Sequence, residues 1–149
     1  MEEMTNVKFR LSSIEKERLV MNHDVIDFTI WDESKLKFQY KIETIIRLPN
    51  DIISVIPTVR YTYEDREALL ASSVFNFAVP NLSATITVDK ENQQINVKAD
   101  IFPTLLGNAY STLRGIVYAR TDGSELKRFP LPMIDTRTLV EKNGISVEE

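Results

Sequence analysis

Cysteine is absent from this chain of 149 residues, and histidine occurs only once. Without cysteine the chain has no disulfide, no thiolate metal ligand and no thiol nucleophile. The single histidine, His23, cannot form the two-histidine sites that are usual for zinc, and no G-x-S-x-G pattern accompanies it. We therefore interpret His23 as a surface residue in a polar turn rather than as a catalytic group.

Long apolar runs are also missing: none approaches the roughly 18 residues needed to span a bilayer. The start of the chain, residues 1–6, is acidic and does not resemble a signal peptide. Hydrophobic residues make up 43% and charged residues 27%, which is typical of a globular protein. These features predict one domain over residues 1–149, cytoplasmic and without membrane insertion.

Positive charge is in deficit, with 18 Lys and Arg against 22 Asp and Glu and a formal net charge of -4. Proteins that bind nucleic acid without sequence preference use a basic surface to displace counterions from phosphates. Nucleic acid is therefore not an expected partner.

Alternating apolar and polar residues at 7–11 and 36–46, with β-branched and aromatic residues at 52–63, predict an antiparallel meander. The alternation breaks at 13–18, which predicts a bulge or a bend, and residues 48–51 predict a compact turn. Pro57 predicts an edge position or a bulge, because it cannot donate to a strand ladder. A charged loop is expected at 64–67. The predicted strands are 7–11, 19–21, 36–46, 52–63 and 69–79.

The second half changes to a helical period. Residues 80–98 predict either a small hairpin or a short strand and a loop that leads into a helix. A helix of roughly 20 residues follows, with Asp100 as the expected N-cap, Pro103 in the first turn and a stop at 121–124. Gly107 and Gly115 inside it predict close approach of another backbone on that side. The expected buried face is Phe102, Leu105, Leu106, Ala109, Leu113, Ile116 and Val117.

An extended crossover and a second helix complete the predicted fold. The prolines in 129–132 disfavour helix, and a short last helix is expected from Asp135 to about Asn143. The whole pattern predicts an α+β fold with an antiparallel sheet meander, a long helix, a Pro-rich crossover and a short C-terminal helix.

This pattern resembles the SecB family of bacterial export chaperones. Residues 109–124 are similar to the long helix of that family, with Arg114 at its centre and Gly123 and Ser124 at its end. Residues 129–135, with Leu139 behind them, resemble its crossover and the cap of its last helix. Met133 departs from the family pattern, in which a second proline is common there, and Val140 stands near a position that is often aromatic.

The resemblance implies a chaperone that holds unfolded or precursor polypeptides without ATP, cofactor or catalytic residues. Its clients would belong to protein export or would be a dedicated partner such as the antitoxin of a toxin–antitoxin pair. It also implies a possible contact with the SecA motor and a homo-oligomer, either a dimer or a dimer of dimers. The alternatives are an interaction module that kept the fold but not the groove, and a small-molecule-binding α+β domain.

The resemblance places the candidate peptide-binding groove between the long strand and the crossover. For each of its residues the other interpretation is ordinary core packing, which we favour for Trp31. If the groove exists, Leu131 and Met133 should be unusually exposed, near Phe38 and Tyr40. The candidate groove residues are Trp31, Leu36, Phe38, Tyr40, Ile42, Phe129, Leu131 and Met133.

Acidic residues at 64–67 offer a further candidate site, since paired carboxylates serve in acid–base chemistry or bind Ca²⁺. The spacing and the central glycine of a calcium loop are missing. A hairpin loop is the favoured interpretation, and no enzyme activity is expected.

Overall fold

A computed structural model describes residues 8–89, 94–97, 101–135 and 145–148. It confirms the α+β class, with one main helix packed on a five-stranded sheet and a separate two-stranded hairpin. The elements are β1 (Arg10–Met21), β2 (Leu36–Arg47), β3 (Ile52–Tyr63), β4 (Arg66–Ala78), α1 (Leu82–Thr85), β5 (Ile86–Asp89), β6 (Gln94–Val97), α2 (Phe102–Arg120) and β7 (Ile145–Glu148).

The large sheet has the strand order β1-β4-β3-β2-β7. Strands β2, β3 and β4 pair antiparallel with their neighbours in the chain, which confirms the predicted meander. Strand β1 closes the other side by pairing antiparallel with β4. The alternation of the sequence decides the two faces, because neighbouring residues of a strand point to opposite sides.

Strand β1 runs through the break that the sequence shows at 13–18. Its register against β4 shifts between Leu11 and Ser13 and again between Glu15 and Arg18. Lys16 takes a positive φ of 51° within the second irregularity. The predicted bulge is therefore confirmed, and it lets one strand continue from Arg10 to Met21.

The prediction for Pro57 is wrong. Strand β3 lies inside the sheet, and the register with β2 and β4 does not shift at Pro57. The β3–β4 ladder instead lacks pairs at Ile56 and Pro57. Proline has no backbone N–H, and Pro57 lies where the β3–β4 ladder has a local gap. A central strand tolerates this gap because the pairs on both sides of it keep the same register.

The loop between β3 and β4 is shorter than predicted. Tyr63 pairs with Arg66, so only Glu64 and Asp65 lie in the loop, with φ values of 49° and 64°. Positive φ at both central residues is the mark of a type I′ turn, whose twist matches that of the flanking strands. Arg66 and Glu67, expected in a loop, therefore belong to β4.

Helix α2 packs on one face of the sheet and closes the core. All but Ile116 of its predicted apolar face is buried, Ile116 is partly buried, and Tyr110 joins them. Ile101 occupies the N-cap position, and the predicted cap Asp100 lies outside the described residues. Apart from the adjacent residues and the backbone of the helix itself, no described atom lies within 4 Å of a Cβ built on Gly115, so the predicted close approach of another backbone is not found there.

Of the two predictions for residues 80–98, the structure has the small hairpin, because β5 and β6 pair antiparallel. At the other end, most of the predicted last helix, residues 136–144, lies outside the described residues. Strand β7 follows and pairs parallel with β2, a pairing that no sequence pattern predicted.

Candidate polypeptide-binding surface

The loop that carries Trp31 is shaped by two aspartates. Asp27 Oδ1 accepts hydrogen bonds from the backbone N (3.0 Å) and the hydroxyl (2.6 Å) of Thr29. Asp32 Oδ1 accepts the same pair from Ser34, at 3.0 and 2.8 Å. These hydrogen bonds lower the pKa of both carboxyl groups, so both stay ionised at neutral pH.

The same loop is tied to the sheet by a backbone contact. The N–H of Asp32 donates to the hydroxyl of Tyr63 at 2.9 Å. Tyr63 is the partner of Leu36 in the β2–β3 ladder. The contact therefore holds the loop beside the start of β2, the long strand beside which the resemblance placed the groove.

The crossover is held in place by side chains of the sheet and the helix. Tyr61 donates its hydroxyl to the carbonyl of Pro130 at 3.0 Å, and Arg114 Nε donates to the carbonyl of Leu131 at 3.0 Å. Tyr110 donates to the next carbonyl, that of Pro132. Three successive carbonyls thus accept bonds without any strand partner, which suits a segment whose prolines cannot donate.

Tyr110 remains a hydrogen-bond donor well above neutral pH. Burial raises the pKa of its hydroxyl to about 12, and the nearby Arg114 opposes this shift only in part. Burial also raises the pKa of Tyr61. Both tyrosines therefore keep their protons, and their bonds to the crossover, under physiological conditions.

These supports bring aromatic side chains from three separate segments into contact. Phe129 of the crossover stacks on Phe28 with ring centroids 5.9 Å apart, and it meets Trp31 edge-on at 5.3 Å. Phe129 also lies 5.9 Å from the ring of Tyr61 on β3. These separations fall within the range of favourable aromatic pairs.

The contacts continue along β2. The ring of Phe38 lies 5.1 Å from that of Tyr61, its partner across the β2–β3 ladder, and 5.8 Å from that of Tyr40. We call the whole set the aromatic row. Its members are Phe28, Trp31, Phe38, Tyr40, Tyr61 and Phe129.

The aromatic row is only partly covered. Tyr61 is buried, Tyr40 is 42% exposed, and the other four rings are half-buried. The guanidinium of Arg128 lies over the ring of Phe28 at 5.4 Å from its centroid, within the range of a cation–π contact. The row is therefore a partly accessible apolar surface with a basic group at one end.

The structure separates the eight candidate groove residues into an aromatic surface, a core pair and the isolated, exposed Met133. Trp31, Phe38, Tyr40 and Phe129 meet in the aromatic row, and Leu36 is half-buried on the same face of β2. Two others belong to the core, namely Ile42, which is buried, and Leu131.

The expectation that Leu131 is exposed is wrong, since only 2% of it is accessible. In the extended crossover Leu131 lies between two exposed prolines, and its side chain joins the core. Met133 has the expected exposure, at 83%. Successive residues of an extended chain point in opposite directions, so residues two positions apart would share a side. Leu131 and Met133 differ in burial all the same, so exposure in the crossover does not follow the alternation of a strand.

Phe28 and Tyr61 were missed as members of the site. Tyr61 follows from the turn at 48–51, because that turn sets the register in which Phe38 faces Tyr61. Phe28 carries a weaker signal, its place three residues before Trp31. Its contact with Phe129 joins residues 101 positions apart and has no local signature.

The described residues contain no group of three or more His, Cys, Asp or Glu side chains placed to hold a metal ion. His23 Nδ1 lies 3.5 Å from the hydroxyl of Ser124, on an exposed surface. A hydrogen bond to Lys127 lowers the pKa of Asp122, as the Thr29 and Ser34 bonds do for Asp27 and Asp32. A general acid needs the opposite shift.

Comparison with known proteins gives no relative: no family model matches this chain, and no curated protein matches it. Among the described residues, no helix combines the length and apolar character required to cross a membrane.

Proposed function

We propose that this protein is a SecB-like holdase that binds unfolded polypeptides on its aromatic row without ATP. One observation carries the proposal: six aromatic side chains from four segments of the chain meet in a continuous row, and most of them remain partly exposed. An ordinary core would bury such rings completely, because each can remove about 150–250 Å² from water.

A row of aromatic rings can bind client polypeptides of different sequence. Ring faces accept aliphatic and aromatic side chains alike, because the contact needs apolar area and no matching hydrogen bond. Each Å² of apolar surface that client and row bury together contributes about 25 cal/mol, offset by the freedom that the client loses. The balance gives reversible binding, which a holdase needs in order to release its client.

The partners belong to the same proposal. The clients are unfolded or precursor polypeptides in the cytoplasm, destined for export through the SecA motor or belonging to a toxin–antitoxin pair. Polypeptide binding through the row requires no cofactor, because apolar burial alone supplies the affinity.

The test is suppression of client aggregation, followed by light scattering without ATP. Replacing Tyr40 of the aromatic row and Met133 of the crossover by serine removes exposed apolar surface from two of the candidate groove residues. We expect about tenfold weaker holding, which corresponds to about 1.4 kcal/mol of binding free energy. The free energy of unfolding should change little, since neither side chain is buried.

A matched control is Tyr118→Ser. Tyr118 lies on α2, is 51% exposed, and shares a ring contact with Lys127 rather than with the aromatic row. The Tyr118→Ser variant should hold clients as well as the unsubstituted chain does. Equal holding by all three proteins, or no holding by the unsubstituted chain, would contradict the proposal.

A further inference from the structure

The chain's own last strand occupies an edge of the sheet. Strand β7 pairs parallel with the end of β2, from Thr44 with Ile145 to Arg47 with Glu148. It covers four of the twelve residues of β2. Along Leu36–Glu43, no strand of the described residues pairs with that same edge, so β7 fills only part of it.

Each side chain of β7 lies opposite a particular residue of β2. Ile145 and Val147 are half-buried and pack against the core beside Thr44 and Ile46. Glu148 ends the strand with an ion pair to Arg47. The edge therefore accepts a short pattern: an apolar residue, any residue, a second apolar residue and an acid.

Arg47 is held in position for that acid by a chain of hydrogen bonds across the sheet. Its Nε donates to the hydroxyl of Ser54 at 3.1 Å, and this hydroxyl donates to the amide oxygen of Asn76 at 2.6 Å. Asn76 in turn donates to Ser13 at 3.0 Å. This series of hydrogen bonds connects β2, β3, β4 and β1. The sheet therefore orients the guanidinium of Arg47 independently of β7.

Strand β7 is weakly held compared with its neighbours in the sheet. It has four paired residues, against twelve in the β2–β3 ladder, and it pairs on one side only. Parallel pairing is slightly less stable per residue than antiparallel pairing. A competing strand that supplies the same groups can therefore replace it without disturbing the meander.

We propose that the β2 edge at Thr44–Arg47 is a strand-binding site, with β7 as its intramolecular occupant. Its partner is an extended polypeptide segment with two apolar residues at alternate positions followed by an acidic residue, added to the sheet in place of β7. The identification of this segment with a client rests on the proposed function; the strand-binding site itself does not.

The absence of native cysteine allows a direct test. Ile45 and Ser146 are paired residues of β2 and β7, so their replacement by cysteine (Ile45→Cys with Ser146→Cys) places two thiols on neighbouring strands. Oxidation should link them, because paired strand residues lie within the range of Cα separations that a disulfide spans. Titration of free thiols reports the link, and each single substitution is a control.

The probe is a fluorescein-labelled peptide of sequence GISVEE, taken from residues 144–149. Fluorescence anisotropy should show that it binds the reduced double variant and binds the oxidised one at least tenfold more weakly. A peptide with lysine in place of the first glutamate should bind more weakly to the reduced form, since it loses the ion pair with Arg47.

Equal peptide binding by both redox forms, no binding by the reduced form, or failure of the disulfide to form would each overturn the proposal. The test is independent of aggregation assays. If the serine variant of Tyr40 and Met133 holds clients normally but the peptide binds only the reduced cysteine variant, the proposed function alone is refuted. If the serine variant loses holding but peptide binding does not depend on the disulfide, the strand-binding site alone is refuted.

Discussion

Two side chains of the crossover, two positions apart, have opposite environments. Leu131 lies in the core and Met133 in solvent. The backbone between them is fixed by bonds from Arg114 to the carbonyl of Leu131 and from Tyr110 to that of Pro132. The direction of each side chain thus depends on donors that come from a helix earlier in the chain, and not on the local Pro-Leu-Pro sequence.

Leu131→Ala is expected to lower the free energy of unfolding by about 2–5 kcal/mol, because it leaves a cavity in the core. Met133→Ala, the matched control in the same segment, should change it by less than about 0.5 kcal/mol. Urea unfolding followed by Trp31 fluorescence measures both. Similar losses for the two variants would contradict the opposite environments described above.

The elements of the sheet are set by their turns. The Glu64–Asp65 loop holds two residues without glycine at positive φ, and this conformation is unfavourable for most side chains. Its twist nevertheless keeps β3 and β4 in register from Tyr63 and Arg66 onward. Glu64 and Asp65 therefore form a tight turn, while Glu67 belongs to β4.

Asp65→Gly should raise the free energy of unfolding by about 0.5–1 kcal/mol, because glycine adopts positive φ without a steric cost, while the unfolded chain gains some freedom. The lost ion pair with Lys37 matters little, since it is 3.9 Å long and the aspartate side chain is 93% exposed. Asp65→Ala is the control. Denaturant unfolding should show that it is less stable than both the unsubstituted chain and the glycine variant, because alanine is unfavourable at positive φ. A less stable glycine variant would argue against the type I′ turn.

At the scale of the whole molecule, strand β1 forms one edge of the large sheet. No described strand pairs with its outer side, and Leu11 and Ile14 of this strand are exposed. An open edge with apolar side chains favours pairing with another chain. The other exposed candidate surface is the side of α2 that carries Gly115 and Tyr118.

We expect at least a dimer in solution, with β1 or α2 at the interface between copies. Replacing Leu11 and Ile14 by serine should shift the mass toward the monomer if β1 forms that interface, as measured by light scattering at micromolar concentration. Ile30→Ser, which alters an exposed isoleucine outside the sheet, is the control. A sharp monomer mass for the unsubstituted chain would contradict the expected assembly and weaken the SecB-like proposal with it.

Local sequence determined the elements that depend on neighbours in the chain. The alternation at 36–46 predicted β2, and the β-branched and aromatic residues of 52–63 predicted β3. The spacing of apolar residues predicted the buried face of α2. Side-chain period follows directly from strand and helix geometry, so it can be read from residues a few positions apart. The α+β class follows from the order of these elements.

Only the tertiary structure decided how distant segments meet. It placed Pro57 in a central strand, buried Leu131, stacked Phe28 on Phe129 and laid β7 along β2. Each of these outcomes depends on contacts between residues far apart in the chain, and such contacts leave no period in the sequence. Burial and pairing of this kind are settled by packing the whole core at once, because a side chain's environment is made by whatever element the fold brings against it.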